Sequence, residues 1–171
     1  MTGKNILITG ASSGIGAELA KQAVKRGANV ALLARSADKL SRVVADIDEA
    51  ARVSVHPCDV TKSDQTQDAI EDAIQHWQHI DVAVLNAGIG HPTSFREFRS
   101  EALEAVFDTN VFGVSRCLEA LLPSMIERQK GVIVGVSSLA ADIPSGYVTS
   151  YSASKAALSH FLNGARKRLS K

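Results

Sequence analysis

Residues 4–27 read KNILITGASSGIGAELAKQAVKRG, and the order of their parts decides the fold. The segment KNILITG reads as a short strand, rich in Ile and Leu and closed by Gly10. GIGAELAKQAVKRG then reads as a helix, with Ile15, Leu19, Ala23 and Val24 on one side and Gly27 as its stop. Glycines at 10, 14 and 16 let the backbone turn tightly and approach a ligand without Cβ interference. The helix N-terminus adds unpaired N–H groups and a positive dipole end, which suit a pyrophosphate. Glycines also simply end strands, but here the strand–glycine–helix context of a phosphate loop is met. The spacing is not G-x-G-x-x-G, because the first two glycines are four apart.

The same alternation continues to the end of the chain. NVALLAR, RVSVHPCDV, IDVAVLNAG and GVIVGVSS read as strands two to five. Between them lie SADKLSRVVADIDEA with Ser36 as N-cap, SDQTQDAIEDAIQHW capped by Ser63, and one long helical region over residues 100–129. A last helix begins near Ser150. Several strands are continuous apolar runs, as expected when helices cover both faces of a sheet. Five strand–helix units in strict alternation imply a doubly wound parallel α/β sheet with right-handed crossovers. No linker, low-complexity tract or repeat interrupts residues 1–171, so a single domain is expected.

Composition narrows the function classes. The 171 residues are 45% hydrophobic and 22% charged, with a formal net charge of +1. That balance gives no general attraction to nucleic acid or to anionic membranes. The aromatic content of 5% also disfavours a base-stacking platform. No apolar run reaches the ~18 residues of a membrane span, and no signal peptide is visible, so a cytoplasmic protein is expected. Cys58 and Cys117 match no metal or redox spacing and read as reduced core thiols. The five histidines show no metal-ligand pattern, and Trp77 reads as packing the third helix onto the sheet.

Near the C-terminal end, TSYSASKAAL (residues 149–158) places Tyr151 and Lys155 one helical turn apart, on one face. Together with TGASSGIG, Asn86-Ala87-Gly88, Asn110 and Ser138, in that order, the pair closely resembles the short-chain dehydrogenase/reductase family. The similarity runs from about Gly3 to the last helix. It implies a Rossmann-type sheet with strand order 3-2-1-4-5 and a nicotinamide dinucleotide as cofactor. It also implies cofactor contacts from Gly10, Ser12, Ser13, Gly14, Ile15 and Gly16 in the loop. Further contacts would come from Arg35, Ser36, Asp59, Val60, Asn86, Ala87 and Gly88 at later strand ends, and from Tyr151 and Lys155. Asp59 would meet the adenine amino group; its alternative reading is a turn residue in CDVTKSD.

Strand two ends in LLARSADKL, with Ala34 where an acid binding the ribose 2′-hydroxyl would stand. Arg35 follows, and a guanidinium binds phosphate through several charge-assisted hydrogen bonds. NADP(H) is therefore expected in preference to NAD(H); the alternative is a solvated surface arginine.

An unperturbed phenol has a pKa of ~10 and is a poor base near neutrality. A lysine one turn away favours the phenolate, so Tyr151 is expected to be the acid in carbonyl reduction and the base in alcohol oxidation. Ser138, thirteen positions earlier, would hold the substrate oxygen, while alternation turns Ser137 to the other face. Asn110 matches the family asparagine that holds a relay water.

The family pattern continues into a sixth strand, a substrate loop and a seventh strand, which lie outside these residues; strand five is then expected to be a sheet edge. An incomplete record, a truncated product and a domain completed by a partner are the three explanations. Ile143 and Tyr147 are possible substrate-pocket walls. Leu158, Phe161, Leu162, Ala165 and Leu169 share one helix face, which either covers the sheet or contributes to the homodimer or homotetramer that the resemblance implies. Two functions are carried forward: an NADP(H)-dependent carbonyl/alcohol oxidoreductase acting on a small molecule, and a catalytically silent dinucleotide-binding or interaction module. No metal site and no nucleic-acid partner are expected.

Overall fold

In the computed structural model, which describes residues 1–169, five parallel strands form one sheet in the order β3-β2-β1-β4-β5. The strands are β1 (Asn5–Thr9), β2 (Asn29–Ala34), β3 (Val53–Pro57), β4 (Val82–Leu85) and β5 (Val132–Gly135). Helices α1 (Gly14–Lys25), α2 (Ala37–Ala45), α3 (Ser63–Trp77), α4 (Ser100–Phe107), α5 (Gly113–Glu127) and α6 (Thr149–Leu169) connect and follow them. The doubly wound α/β architecture and its strand order agree with the expectation.

Strand alternation divides the core into two layers. Ile6 and Ile8 of β1, with Val30 and Leu32 of β2, pack against Ala20, Ala23 and Val24 of α1 and Leu40 of α2. Leu7 and Leu33 point the other way, toward Ile70 of α3, Leu118 and Leu121 of α5 and Leu158 of α6. Both faces of β1 are therefore dry, which explains its uninterrupted apolar sequence. Trp77 packs at this second layer, and its Nε1 donates to Ser54 Oγ at 2.8 Å. The two cysteines are buried there as free thiols. Burial first, and then the neighbouring Asp59 charge, push Cys58 up to about 11, while burial pushes Cys117 up to about 12.

Local structure departs from the sequence reading at three places. Ile15 is 68% exposed, because α1 buries Gly16, Ala20, Ala23 and Val24 instead. Ser63 is the first residue of α3 rather than its cap; Lys62 precedes it, and Thr66 Oγ1 donates back to Lys62 O at 2.7 Å. The long helical region is split into α4 and α5 by a π turn at Asp108–Phe112. Ser36, by contrast, does cap α2, accepting from Lys39 N at 3.3 Å.

Strand β5 is the sheet edge, with Val132 54% and Val134 40% exposed. On its other face, Ile133 packs into the core beside Leu162 of α6. A groove of about 930 Å³ runs between α5, β5 and α6. The apolar face of α6 divides: Leu158 is buried and Leu162 packs on the core, but Phe161 and Leu169 are exposed. No helix among the described residues is long and apolar enough to cross a membrane.

Leu121 is 1% exposed at the centre of the α5–sheet contact. Leu121→Ala is expected to lower unfolding free energy by about 2–5 kcal/mol, read from urea titration with an unchanged m-value. A loss below about 1 kcal/mol would show that α5 does not anchor this layer.

Candidate active site

A cleft of about 360 Å³ opens at the carboxyl ends of the strands. Gly10, Ser12, Ser13 and Ile15 line it from the loop after β1, and Arg35, Ser36 and Lys39 from the start of α2. Cys58, Asp59 and Val60 follow β3, while Asn86, Ala87, Gly88 and Ile89 follow β4. Apart from Ile15 and Lys39, which lie in the first turns of α1 and α2, these wall positions follow strand ends, because a parallel sheet directs all its carboxyl ends to one side.

Close backbone approach builds this cleft. Gly10 has φ +65°, and a Cβ there would lie 2.9 Å from Ala87 Cα. A Cβ on Gly16 would lie 2.5 Å from the Gly10 carbonyl oxygen and 2.8 Å from Asn86 Nδ2. Asn86 Nδ2 donates to Thr9 O at 3.0 Å and to Gly10 O at 3.3 Å. Thr9 Oγ1 accepts from the backbone N–H groups of Asn86 and Ala87, both at 3.0 Å. Asn86 thus acts as a clamp between two loops. Ser13 precedes α1 without a side-chain cap hydrogen bond, and a Cβ on Gly14 would meet open space.

Asp59 Oδ1 accepts from Thr61 N at 3.0 Å and from Thr61 Oγ1 at 2.9 Å. Burial alone would raise its pKa, but these two hydrogen bonds, with Arg35 and Lys62 nearby, hold it below the ordinary carboxylate range. Asp59 thus closes a local turn with Thr61, and the residue also lines the cleft.

The second group of residues gathers around the start of α6. Lys155 is only 4% exposed; Nζ donates to Val136 O at 2.7 Å and stands 5.6 Å from the Tyr151 ring centroid. Burial holds its pKa below the ordinary lysine range. Tyr151 is half-buried and lies against Gly90, where a Cβ would come within 3.0 Å of Cδ2. Thr93 N donates to Tyr147 O at 2.8 Å, tying this segment to the approach to α6.

Asn110 is fully buried inside the π turn, where Gly113 N–H reaches back to Asp108 O. Its Oδ1 accepts from Ile89 N at 2.8 Å, and its Nδ2 donates to Ile89 O and Ser154 Oγ, both at 2.9 Å. Ser138 follows β5 and accepts from Ala140 N at 3.2 Å, starting the 3-10 turn Leu139–Ala141. Ser137, in the coil after β5, pairs instead with Ser159 at 2.6 Å. No hydrogen bond joins Ser138 to Tyr151 among the described residues.

Sequence reasoning passed over Lys39, Ile89 and Thr109 in the cleft and Ser154 beside Asn110. Lys39 had a usable signal, since it stands four residues after Arg35 at a helix start. Ser154 had none, because its partner is 44 residues away. No group of three or more His, Cys, Asp or Glu side chains converges as a metal site among the described residues.

Fold and cleft together define a Rossmann-type α/β protein with a ligand cleft at the strand ends. The family model for short chain dehydrogenases matches residues 4–171. An uncharacterized oxidoreductase of Myxococcus xanthus (strain DK1622) is 40% identical over 168 residues, 97% of this chain. This chain spans 66% of that relative's length. A short-chain type dehydrogenase/reductase from Mycobacterium marinum superposes with TM-score 0.93 at 33% identity, covering 99% of this chain and 70% of the other. Actinorhodin polyketide ketoreductase, solved with NADPH as its F189W variant, gives TM-score 0.94 at 29% identity, with 100% and 68% covered. The chain belongs to the short-chain dehydrogenase/reductase family of oxidoreductases.

Gly16→Ala tests the loop contact, since the clash at 2.5 Å is with backbone oxygen and no side-chain rotation relieves it. We expect a loss of about 1–3 kcal/mol, measured by denaturant unfolding. An unchanged midpoint would show that the two loops separate at little cost.

Proposed function

We propose that this protein is an NADP(H)-dependent oxidoreductase that interconverts a carbonyl and an alcohol by hydride transfer. The observation that carries the reading is the grouping of Tyr151, Lys155 and Asn110 around Gly88–Gly90, immediately beside the phosphate-loop cleft.

A dinucleotide fits the residues present. Gly14 leaves open space where a Cβ would stand, Gly10 and Gly16 let the loop close against the β4 end, and the α1 N-terminus supports an anionic group. Arg35, Ser36 and Lys39 line one end of the cleft, where they would hold a ribose 2′-phosphate. The bound dinucleotide supplies the hydride donor or acceptor.

The chain's own residues supply the proton chemistry. The Tyr151 hydroxyl donates a proton to the oxygen that gains charge during reduction, and recovers one from the alcohol in the reverse direction. Lys155 brings a cation close to that ring while its charged form is already disfavoured by burial. One of its three N–H donors is taken by Val136 O, leaving others for ribose hydroxyls. Ser138 would hold the substrate oxygen from the β5 end. Leu139, Ile143 and Tyr147, at 84%, 72% and 70% exposure, lie between Ser138 and Tyr151 in the chain and would offer apolar contacts.

NADPH oxidation over a panel of carbonyl compounds tests the reading. Tyr151→Phe is expected to lower kcat at least about 100-fold while NADPH binding persists. NADPH binding without turnover, in wild type and variant alike, would favour the catalytically silent module.

The cofactor preference has its own test. Arg35→Asp is expected to raise the NADPH dissociation constant about 10–100-fold and to leave NADH binding unchanged or tighter, measured by fluorescence titration. Equal losses for both cofactors would remove Arg35 from 2′-phosphate recognition.

A further inference from the structure

We infer that Ser154 is a positioning residue for the catalytic centre, coupling the buried Asn110 amide to the backbone of Tyr151. The inference rests on the proposed oxidoreductase reading and adds a group that the Asn110, Ser138, Tyr151 and Lys155 set does not contain.

Ser154 is fully buried on the face of α6 that meets the π turn. Its Oγ donates to Tyr151 O at 2.7 Å and accepts from Asn110 Nδ2 at 2.9 Å. A serine hydroxyl has one proton. With that proton given to Tyr151 O, Oγ presents a lone pair to Asn110 and specifies which end of the amide faces it. Ile89 makes the same demand from the other side, since its N–H needs Asn110 Oδ1 and its C=O needs Nδ2. An inverted amide would set Oδ1 against the Ser154 lone pair and the NH₂ against the Ile89 N–H. All three hydrogen bonds would be lost by an amide that is itself fully buried.

The orientation matters because Oδ1 is held over the open face of Gly88. A Cβ at Gly88 would lie 3.2 Å from Asn110 Oδ1 and 3.4 Å from Lys155 Nζ. The negative end of the amide and the lysine cation therefore share one niche, and the Tyr151 ring lies beside that cation. A buried serine that only bonded its own helix would be complete with Tyr151 O alone. The bond to Asn110 crosses between two elements and makes Ser154 part of what holds the amide dipole toward Lys155.

Ser154→Ala removes that acceptor without adding volume. Expected are a fall in kcat of about tenfold, a carbonyl KM and NADPH affinity unchanged within about twofold, and an alkaline shift of the pH–kcat profile for alcohol oxidation. The sign follows from losing a dipole that favours the charged lysine, which in turn favours the phenolate. Ser154→Thr retains the hydroxyl and is expected to restore much of kcat. Wild-type kcat and pH profile in Ser154→Ala, with only a lowered Tm, would overturn the proposal.

Side-chain amide exchange of Asn110, followed by NMR in the same proteins, decides the coupling independently of turnover. Protection in wild type that falls at least about tenfold in Ser154→Ala supports it; unchanged protection overturns it. Should wild type turn over no carbonyl, the oxidoreductase reading fails, and amide protection still reports on Ser154.

Discussion

The contact between Gly16 and the Gly10 carbonyl, with the Asn86 amide beside it, governs where the rest of the cleft can stand. It lies between β1 and β4, where the chain reverses its direction of travel across the sheet. No side chain fits at either glycine, so α1 enters against the backbone of its own strand. Asn86 and Thr9 then join the β1 and β4 ends through four hydrogen bonds between backbone and side chain. With both ends fixed, the Ala87–Ile89 segment is delivered to the floor of the cleft. The same segment holds Asn110 through Ile89 and faces Lys155 through Gly88. The glycine loop after β1 and the Asn110–Lys155 niche are thus positioned by one junction.

Much of this was legible because it is local or periodic. Continuous apolar strands implied burial on both faces, and alternation with helices implied a parallel sheet; both follow from side-chain direction along a strand. Ser36 could be named as a cap because its partner is three residues away. Ile15 was misread for the opposite reason. Its periodicity is helical, but Gly16 takes the inward position because only a glycine fits against Gly10 O. The π turn was equally hidden. Gly113 packs its bare Cα against Val60, where a Cβ would come within 2.9 Å of Cγ2, and Arg116 binds both Asp108 O and the Asp108 carboxylate. Those contacts are tertiary, and residues 100–129 read alone show only a long helix.

Burial of Lys155 sets the electrical character of the site. A lysine removed from water loses solvation, so its charge depends on the few acceptors that remain. The Val136 carbonyl is one, directly bonded, and the Asn110 oxygen faces the same niche. Cys58 shows the contrasting outcome in the adjoining cleft. Its thiol, buried beside the Asp59 charge, stays protonated with its pKa pushed up to about 11, and is a poor nucleophile at neutrality. Lys155 beside the cleft and Cys58 in its wall are thus both buried, with opposite effects on charge: burial lowers the pKa of the lysine and raises that of the thiol.

Strand β5 carries a disproportionate part of the geometry for an edge strand. Its pairing with β4 runs to Leu85↔Gly135 and is extended by Val136 N donating to Leu85 O at 3.1 Å. That last bond fixes the Val136 carbonyl that receives Lys155, and two residues on it fixes Ser138. A one-residue slip of β5 would turn Ser138 away and bring Ser137 forward, because side chains alternate. Register on an edge is held by one neighbour and by what packs on its faces. Here Ile133 supplies the packed face, while Val132 and Val134 remain exposed. Any contact that buries those two valines would stabilise the register, and through it the relation between Ser138, Lys155 and Tyr151.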